Sequence, residues 1–493
     1  MSLYGGIELT GQPDLENIRR LDLLPTEPIR EIMQYGFAID IPHLEELTEK
    51  LGKDMEELKR KVIEHIPADK LDEFMEVVDS NESESGWDES LNITFNVDSA
   101  VQVRKLVFKV LGVGSGKDLK RTKGGDISTG KRQMEGLKSE HAVVQDILDY
   151  RACSKLRGTY TIPMPKMAKF HPESTLLRPL CWCGLTHGAD TWRIHTQILT
   201  TRTSTGRPAT KNPNLQNIPV RSEYGREVRK AFVASPGTEL VAVDFSQLEL
   251  RILAHVAQVR KMIRCFHRDN DIHEMTAMEA FQIPAEKVDK ILHRAPAKNV
   301  NFAVVYGETP KGLYEQLVSD TYGKSGIPVP DWLDMDWCEG FMRKWHGIYD
   351  EVMPYMQQEF ERAGRYRHVW SLLGRVRPVP EVRSVHKQIV AAGQRQAGNM
   401  KIQGTGADML KLAQAEIHQW IKEVVRPEGV WVRGVNEVHD ELIFEVEQGF
   451  GRFVLRKCVD VMSSVMFDKD TGEDLFRVPV KAEGAIMSRW MKN

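Results

Sequence analysis

Leu240-Val241-Ala242-Val243-Asp244-Phe245-Ser246-Gln247-Leu248-Glu249-Leu250-Arg251 is an apolar run of strand character that stops at an aspartate. From Gln247 to Ala257 the pattern turns helical. Far downstream, Glu437-Val438-His439-Asp440-Glu441-Leu442-Ile443-Phe444 reads as part of a hairpin. Val430-Trp431-Val432 and Leu442-Ile443-Phe444 flank a tight turn expected to present Asp440 and Glu441. A carboxylate where a strand ends is held rigidly and can point into a cleft. Two such groups close together suit a pair of hard cations, and phosphoryl transfer needs cations bridging the attacking oxygen, the leaving oxygen and the phosphates. Singly, either aspartate reads more often as a cap or a turn residue.

A third segment supplies positive charge. His293-Arg294-Ala295-Pro296-Ala297-Lys298-Asn299-Val300-Asn301-Phe302-Ala303-Val304-Val305-Tyr306-Gly307 spaces Arg294, Lys298, Phe302 and Tyr306 by four. On a helix these form one slowly drifting stripe. Two cations followed by two aromatics suit a triphosphate at one end and a base with its sugar at the other. Standing alone, the stripe would read as an amphipathic helix with a solvated basic end.

Taken along the chain, the Asp244 segment, the Arg294–Gly307 stripe and the Asp440 hairpin resemble motifs A, B and C of family A DNA polymerases, the DNA polymerase I family. The resemblance implies catalytic roles for Asp244, Asp440, Glu441 and Lys298, with Lys298 also the general acid for the leaving pyrophosphate. It places two Mg²⁺ ions, for which Mn²⁺ can substitute, at Asp244, Phe245 and Asp440. It gives the incoming dNTP to Gln247, Glu249, His273, Arg294, Lys298, Phe302 and Tyr306. Glu249 matches a residue that packs beneath the nucleotide sugar and excludes a 2′-hydroxyl, which argues against RNA synthesis. A catalytically dead fold that only binds primer-template is countered by the joint presence of Asp244, Asp440, Arg294, Lys298 and Tyr306.

Thr203-Ser204-Thr205-Gly206-Arg207 and Pro213-Asn214-Leu215-Gln216-Asn217-Ile218-Pro219 resemble segments that track the primer-template, which implies DNA contacts at Arg207, Asn214 and Gln216. Arg395, Asn399 and Gln403 again recur every four residues and resemble a minor-groove helix, and His439 joins them. Amides both donate and accept, so they can test minor-groove acceptors that vary little with sequence. Three positions depart from the family pattern: Ala295 for a second Arg, Ala303 for Gly and Phe245 for Tyr. None removes a metal ligand or a phosphate cation.

The resemblance implies a right-hand polymerase fold of mixed α and β (α+β) class, with a helical thumb, an antiparallel-sheet palm and helical fingers. The expected boundaries are a lead-in at 1–40, thumb 41–169, palm 170–261, fingers 262–385 and palm again at 386–493. Leu44, Leu47, Leu51, Met55, Leu58 and Val62 step by three and four as in a long thumb helix. Stretches 171–192 and 318–335 read as surface insertions. The thumb pattern begins so early that a proofreading exonuclease domain is not expected ahead of it.

At 493 residues, 41% hydrophobic and 28% charged, the chain reads as a globular protein of several lobes. A net charge of −3 argues against a generally basic coat, so nucleic-acid-binding charge must be local. Lys117 to Arg132 offers six cations against two acids in a glycine-containing loop, and the family's thumb tip is similar there. Six cysteines do not form a secreted framework, and no signal peptide or transmembrane run is seen, so a cytoplasmic monomer is expected. Cys181-Trp182-Cys183 with His187 is a weak zinc candidate, because no second ligand pair follows.

Overall fold

The computed structural model describes residues 3–78, 95–116, 119–171, 191–219, 222–322, 328–468 and 470–491. Cys181, Cys183, His187 and most of the 171–192 stretch lie outside them. The chain forms two compact units, one of residues 42–166 with 314–333, the other of 1–41, 167–313 and 334–493.

In the first unit the helix Ile41–Glu64 buries Leu44, Leu47, Leu51 and Val62, while Met55 and Leu58 are only half-buried. The unit's core gathers where this helix ends, with Val62, Ile63, Phe74, Phe95, Leu106 and Ile147 among its members. Apolar side chains fully withdrawn from water contribute roughly 1.5–3 kcal/mol each, so this end anchors the helix.

The second unit is built on a four-stranded sheet. Its strands are β1 (Thr238–Phe245), β2 (Val432–Val438), β3 (Glu441–Glu447) and β4 (Ala482–Met487). They pair in the order β4-β1-β3-β2, every neighbour antiparallel. β1 is internal, and its Leu240 to Val243 run is buried throughout, which is why it lacks the polar alternation of a half-exposed strand. The helices that bear on the site are α1 (Leu248–Val256), α2 (Ile272–Phe281), α3 (Ala295–Val305), α4 (Met335–Ile348), α5 (Val352–Tyr366) and α6 (Lys387–Trp420).

Buried charge ties the sheet to its surroundings. Glu445 of β3 and Arg193 pair at 2.6 Å with both side chains wholly inaccessible. Arg193 also donates to Tyr35 Oη, Ser235 Oγ and the Gly36 carbonyl, which offsets much of the cost of its burial, although its Nε has no partner. Among the described residues no helix is long and apolar enough to cross a membrane.

Candidate functional site: the β1–β3 strand ends and the α3 stripe

The register of the central strands brings the two sequence motifs together. Glu441 is the cross-strand partner of Asp244, and the Phe245 N–H donates to the Asp440 carbonyl at 3.3 Å. The turn between β2 and β3 is only His439-Asp440, because Glu441 already pairs with Val438. This corrects the expected presentation of Glu441 by the turn. Drawn into the ladder, Glu441 is 5% exposed, whereas the Asp440 side chain keeps 23% exposure. His439 makes the reversal with φ +57°, a left-handed conformation uncommon for a residue with a side chain. Asp244, Asp440 and Glu441 do not draw together into a trio within 4.8 Å; among the described residues only Glu27, Glu31 and His418 do so, and there Lys422 and Arg426 already pair with the carboxylates.

A charged network stands beside Asp440. Arg207 donates to Glu249 at 2.6 Å and lies 3.7 Å from an Asp440 oxygen, while the Tyr306 hydroxyl donates to the other Glu249 oxygen at 2.6 Å. Burial and the Glu249 carboxylate together push the Tyr306 phenol up, so it stays a hydrogen-bond donor. Arg207 is placed by its neighbour. Gly206 has φ +80°, and a Cβ there would fall 2.6 Å from the Arg375 guanidinium carbon. Arg375 is itself fixed by Asp408 at 2.7 Å and by Asp22, which also accepts from Lys411. Sequence reading missed this support, and Arg375 carries no signal to set it apart from a solvated arginine.

The four-residue stripe forms as expected, with its first member in a different setting. Arg294 ends a π-helical turn, Lys290–Arg294, that runs directly into α3, and Pro296 falls in the first turn where a missing N–H costs little. Lys298 is exposed, Phe302 half-buried, and Tyr306 follows the helix end. Arg294 pairs with Asp271, which also caps α2 by accepting the His273 and Glu274 N–H groups. Gln247 sits just before α1 with φ +54°, and its side-chain oxygen is buried without a partner.

His273 lies at 2% exposure beneath the stripe, its ring 5.6 Å from that of Phe302. Its Nδ1 meets the Asn301 amide at 2.9 Å, and Asn301 also accepts from Trp345 Nε1 of α4. Asn301 was not foreseen, although a polar residue on the otherwise apolar buried face of α3 is the kind of anomaly that could have revealed it. Burial, aided by Lys298 and Arg294 and opposed by Asp271, pushes His273 down to about 4. The folded value lies below the 6.5 of an unfolded chain, so this group's contribution to stability is complete above about pH 6.5 and is lost as pH falls toward 4. His273→Gln should therefore lose less Tm than the wild type between pH 6.5 and 4, with His171 and His255, also pushed down to about 4 by burial, sustaining the remaining slope. An unchanged slope in thermal melts would contradict a buried neutral His273.

The predicted DNA-contact residues divide into two groups. Arg395, Asn399 and Gln403 stand on one face of α6 and line a cavity of about 290 Å³ together with Tyr306 and Arg377. The buried Asn399 Oδ1 has no partner there, and Arg395 packs on Gly307, whose φ of +63° closes the end of α3. Asn214 and Gln216 lie elsewhere in a local turn. The Asn214 side-chain oxygen accepts from the Gln216 N–H and the Thr210 hydroxyl, which leaves its amino group as the donor outside that cap.

Comparison with known proteins identifies the family. The pattern of DNA polymerase family A matches residues 42–492. DNA polymerase I, thermostable, of Thermus aquaticus is 34% identical over 397 residues, covering 80% of this chain and 42% of that protein. DNA polymerase I of Rhizobium leguminosarum is 34% identical over 397 residues, covering 80% of this chain and 35% of its own length. The chain thus spans roughly two-fifths of the length of these curated relatives. Among solved structures, the POL domain of Pol1 from M. smegmatis in complex with DNA primer-template and dNTP is similar over 96% of this chain and 72% of that one, with a TM-score of 0.73 and 25% identity. With its four-stranded antiparallel palm sheet and its three motifs, the chain belongs to DNA polymerase family A.

Proposed function

We propose that the chain is a template-directed DNA polymerase that extends a primer 3′ end with dNTPs by two-metal-ion phosphoryl transfer. The observation that carries this reading is the β1–β3 register, which sets Asp244 opposite Glu441 and so beside Asp440. Two hard oxygen donors at adjoining strand ends, one in a turn with part of its surface open, fit hard divalent cations such as Mg²⁺. Asp244 and Asp440 would hold the ions, with the backbone of Phe245 adjacent. When bound, such ions polarise the phosphate and lower the pKa of the primer hydroxyl. Arg294 and Lys298 orient the triphosphate, and Lys298 is positioned to give a proton to the leaving pyrophosphate. Glu249, held by Arg207 and Tyr306, forms the floor under the sugar and discriminates against a 2′-hydroxyl. Arg395, Asn399 and Gln403 receive the template at the cavity next to Tyr306. The likeness to a POL domain solved with primer-template and dNTP supports the same ligand classes here.

Primer extension with dNTPs and with NTPs, each with and without EDTA, tests the assignment. Extension with dNTPs alone, abolished by EDTA, is expected. Extension only with NTPs would favour RNA synthesis, and tight primer-template binding without any extension would favour an accessory role.

Selectivity at Phe302 supplies a narrower test. A Tyr hydroxyl at this position could replace the hydrogen bond lost with a missing 3′-hydroxyl, a bond to a charged phosphate being worth roughly 1.5–3 kcal/mol. Phe302→Tyr should therefore raise 2′,3′-dideoxynucleotide use relative to dNTP by about one to two decades, read from termination ladders. An unchanged ladder would mean that α3 does not lie against the sugar.

A further inference from the structure

α5 ends in a cluster of aromatic rings and arginines that the proposed chemistry does not use. Arg367 turns the chain with φ +62°, and the strand His368–Trp370 then pairs with Val376–Pro378. The rings of Tyr366, His368 and Trp370 form a triangle with centroid separations of 6.0, 5.9 and 5.8 Å. Arg362 lies over the Trp370 ring at 4.8 Å and Arg365 over the Tyr366 ring at 5.2 Å. Trp370 is 8% exposed and anchored through its Nε1 to the Gly11 carbonyl, so it forms the base of the cluster. Tyr366, at 46% exposure, forms its open surface, with Arg365 and Arg367 exposed beside it. From Glu361 to His368 the chain carries three arginines against one acid. That acid, Glu361, accepts from Gln357.

Successive residues of a strand face opposite sides, so Val369 lies on the face away from His368 and Trp370. The cross-strand partner of Val369 is Arg377, which lines the 290 Å³ cavity with Tyr306, Arg395 and Asn399. One side of the hairpin therefore borders the cavity assigned above to the template, and the other carries the aromatic and arginine surface. We propose that this surface, headed by Tyr366 and flanked by Arg365 and Arg367, is a stacking platform for the unpaired template strand ahead of the insertion site. Unpaired bases expose the π faces that duplex bases hide, and the arginines meet the backbone phosphates. The proposal rests on the polymerase reading, since it takes the cavity as the template's position.

The test is fluorescence anisotropy of the full chain on three primer-templates: one blunt, one with a 5′ template overhang of about six nucleotides, and one with the same overhang made abasic. The overhang should tighten binding by about 5-fold or more, as expected for one stacked base, and the abasic overhang should give less. Tyr366→Ala should remove that gain while leaving the blunt-duplex Kd within about 2-fold, and Tyr366→Phe, which keeps the ring, should restore it. Three results would overturn the platform: an overhang gain that survives Tyr366→Ala, an abasic overhang that binds as well as the natural one, or an equal loss on blunt and overhang DNA. In each of them the wild-type chain still binds primer-template and extends the primer on the natural overhang, so the polymerase reading stands. Failure to bind or extend any primer-template would overturn both.

Discussion

Asp440→Ala should lower primer extension by about 10³-fold or more while primer-template affinity stays within about 3-fold of wild type. The reasoning starts from position. Asp440 stands in a two-residue turn with 23% of its side chain exposed, and Arg207 keeps Glu249 as a partner, so truncation there should change Tm little. On the proposed reading it removes one of two donors that hold cations at the reacting phosphate, a loss expected to cost several kcal/mol of transition-state stabilisation. DNA affinity arises mainly from phosphate contacts elsewhere and should persist. Asp244→Ala should behave alike. Glu441→Gln should cost less activity, because Glu441 is drawn into the β3 ladder at 5% exposure. Turnover within about tenfold of wild type in purified, folded Asp440→Ala would remove the metal assignment.

Lys298→Ala should lower the single-turnover chemical rate by about 10²–10³-fold, whereas Arg294→Ala should mainly raise the dNTP concentration needed for half-maximal rate. The two side chains start from different settings. Lys298 is exposed on α3 and close enough to help hold His273 neutral, and the proposed reading puts its ammonium where negative charge develops on the leaving pyrophosphate. Arg294 is already paired with Asp271, and binding a triphosphate means sharing or exchanging that partner. Its effect therefore falls on ground-state binding. Removing it should hardly destabilise the fold, since the pair is about one-third exposed on each side and such pairs contribute little. Pre-steady-state extension over a dNTP series separates rate from binding. Equal and small effects in both variants would reduce the stripe to a solvated helix face.

Much of the site could be read directly from local pattern. The apolar run ending at Asp244, the hairpin bearing Asp440 and the four-residue stripe from Arg294 to Tyr306 each follow from periodicities of two or 3.6 residues, which a single sequence displays. Glu441 marks the limit of that reading. Pattern located the turn but not which residue entered the ladder, because register is fixed by partners on β1 and β2 together. Asn301 could have been noticed as a polar residue in an apolar face. Its partners His273 and Trp345, on two other helices, could not.

By itself the sequence determined the family, and the helices and strands that carry the carboxylates and cations proposed for the site. The tertiary structure alone decided how they are held. Arg207 reaches Glu249 and Asp440 because Gly206 packs on Arg375, and Arg375 is fixed by Asp408 and by Asp22, the latter 353 residues away along the chain. Tyr306 meets Glu249 across 57 residues, and Arg193 meets Glu445 across 252. Pairings at such separations leave no periodic trace in the sequence. They arise only when the chain has collapsed far enough that a buried charge must find its partner or bear the full cost of losing water.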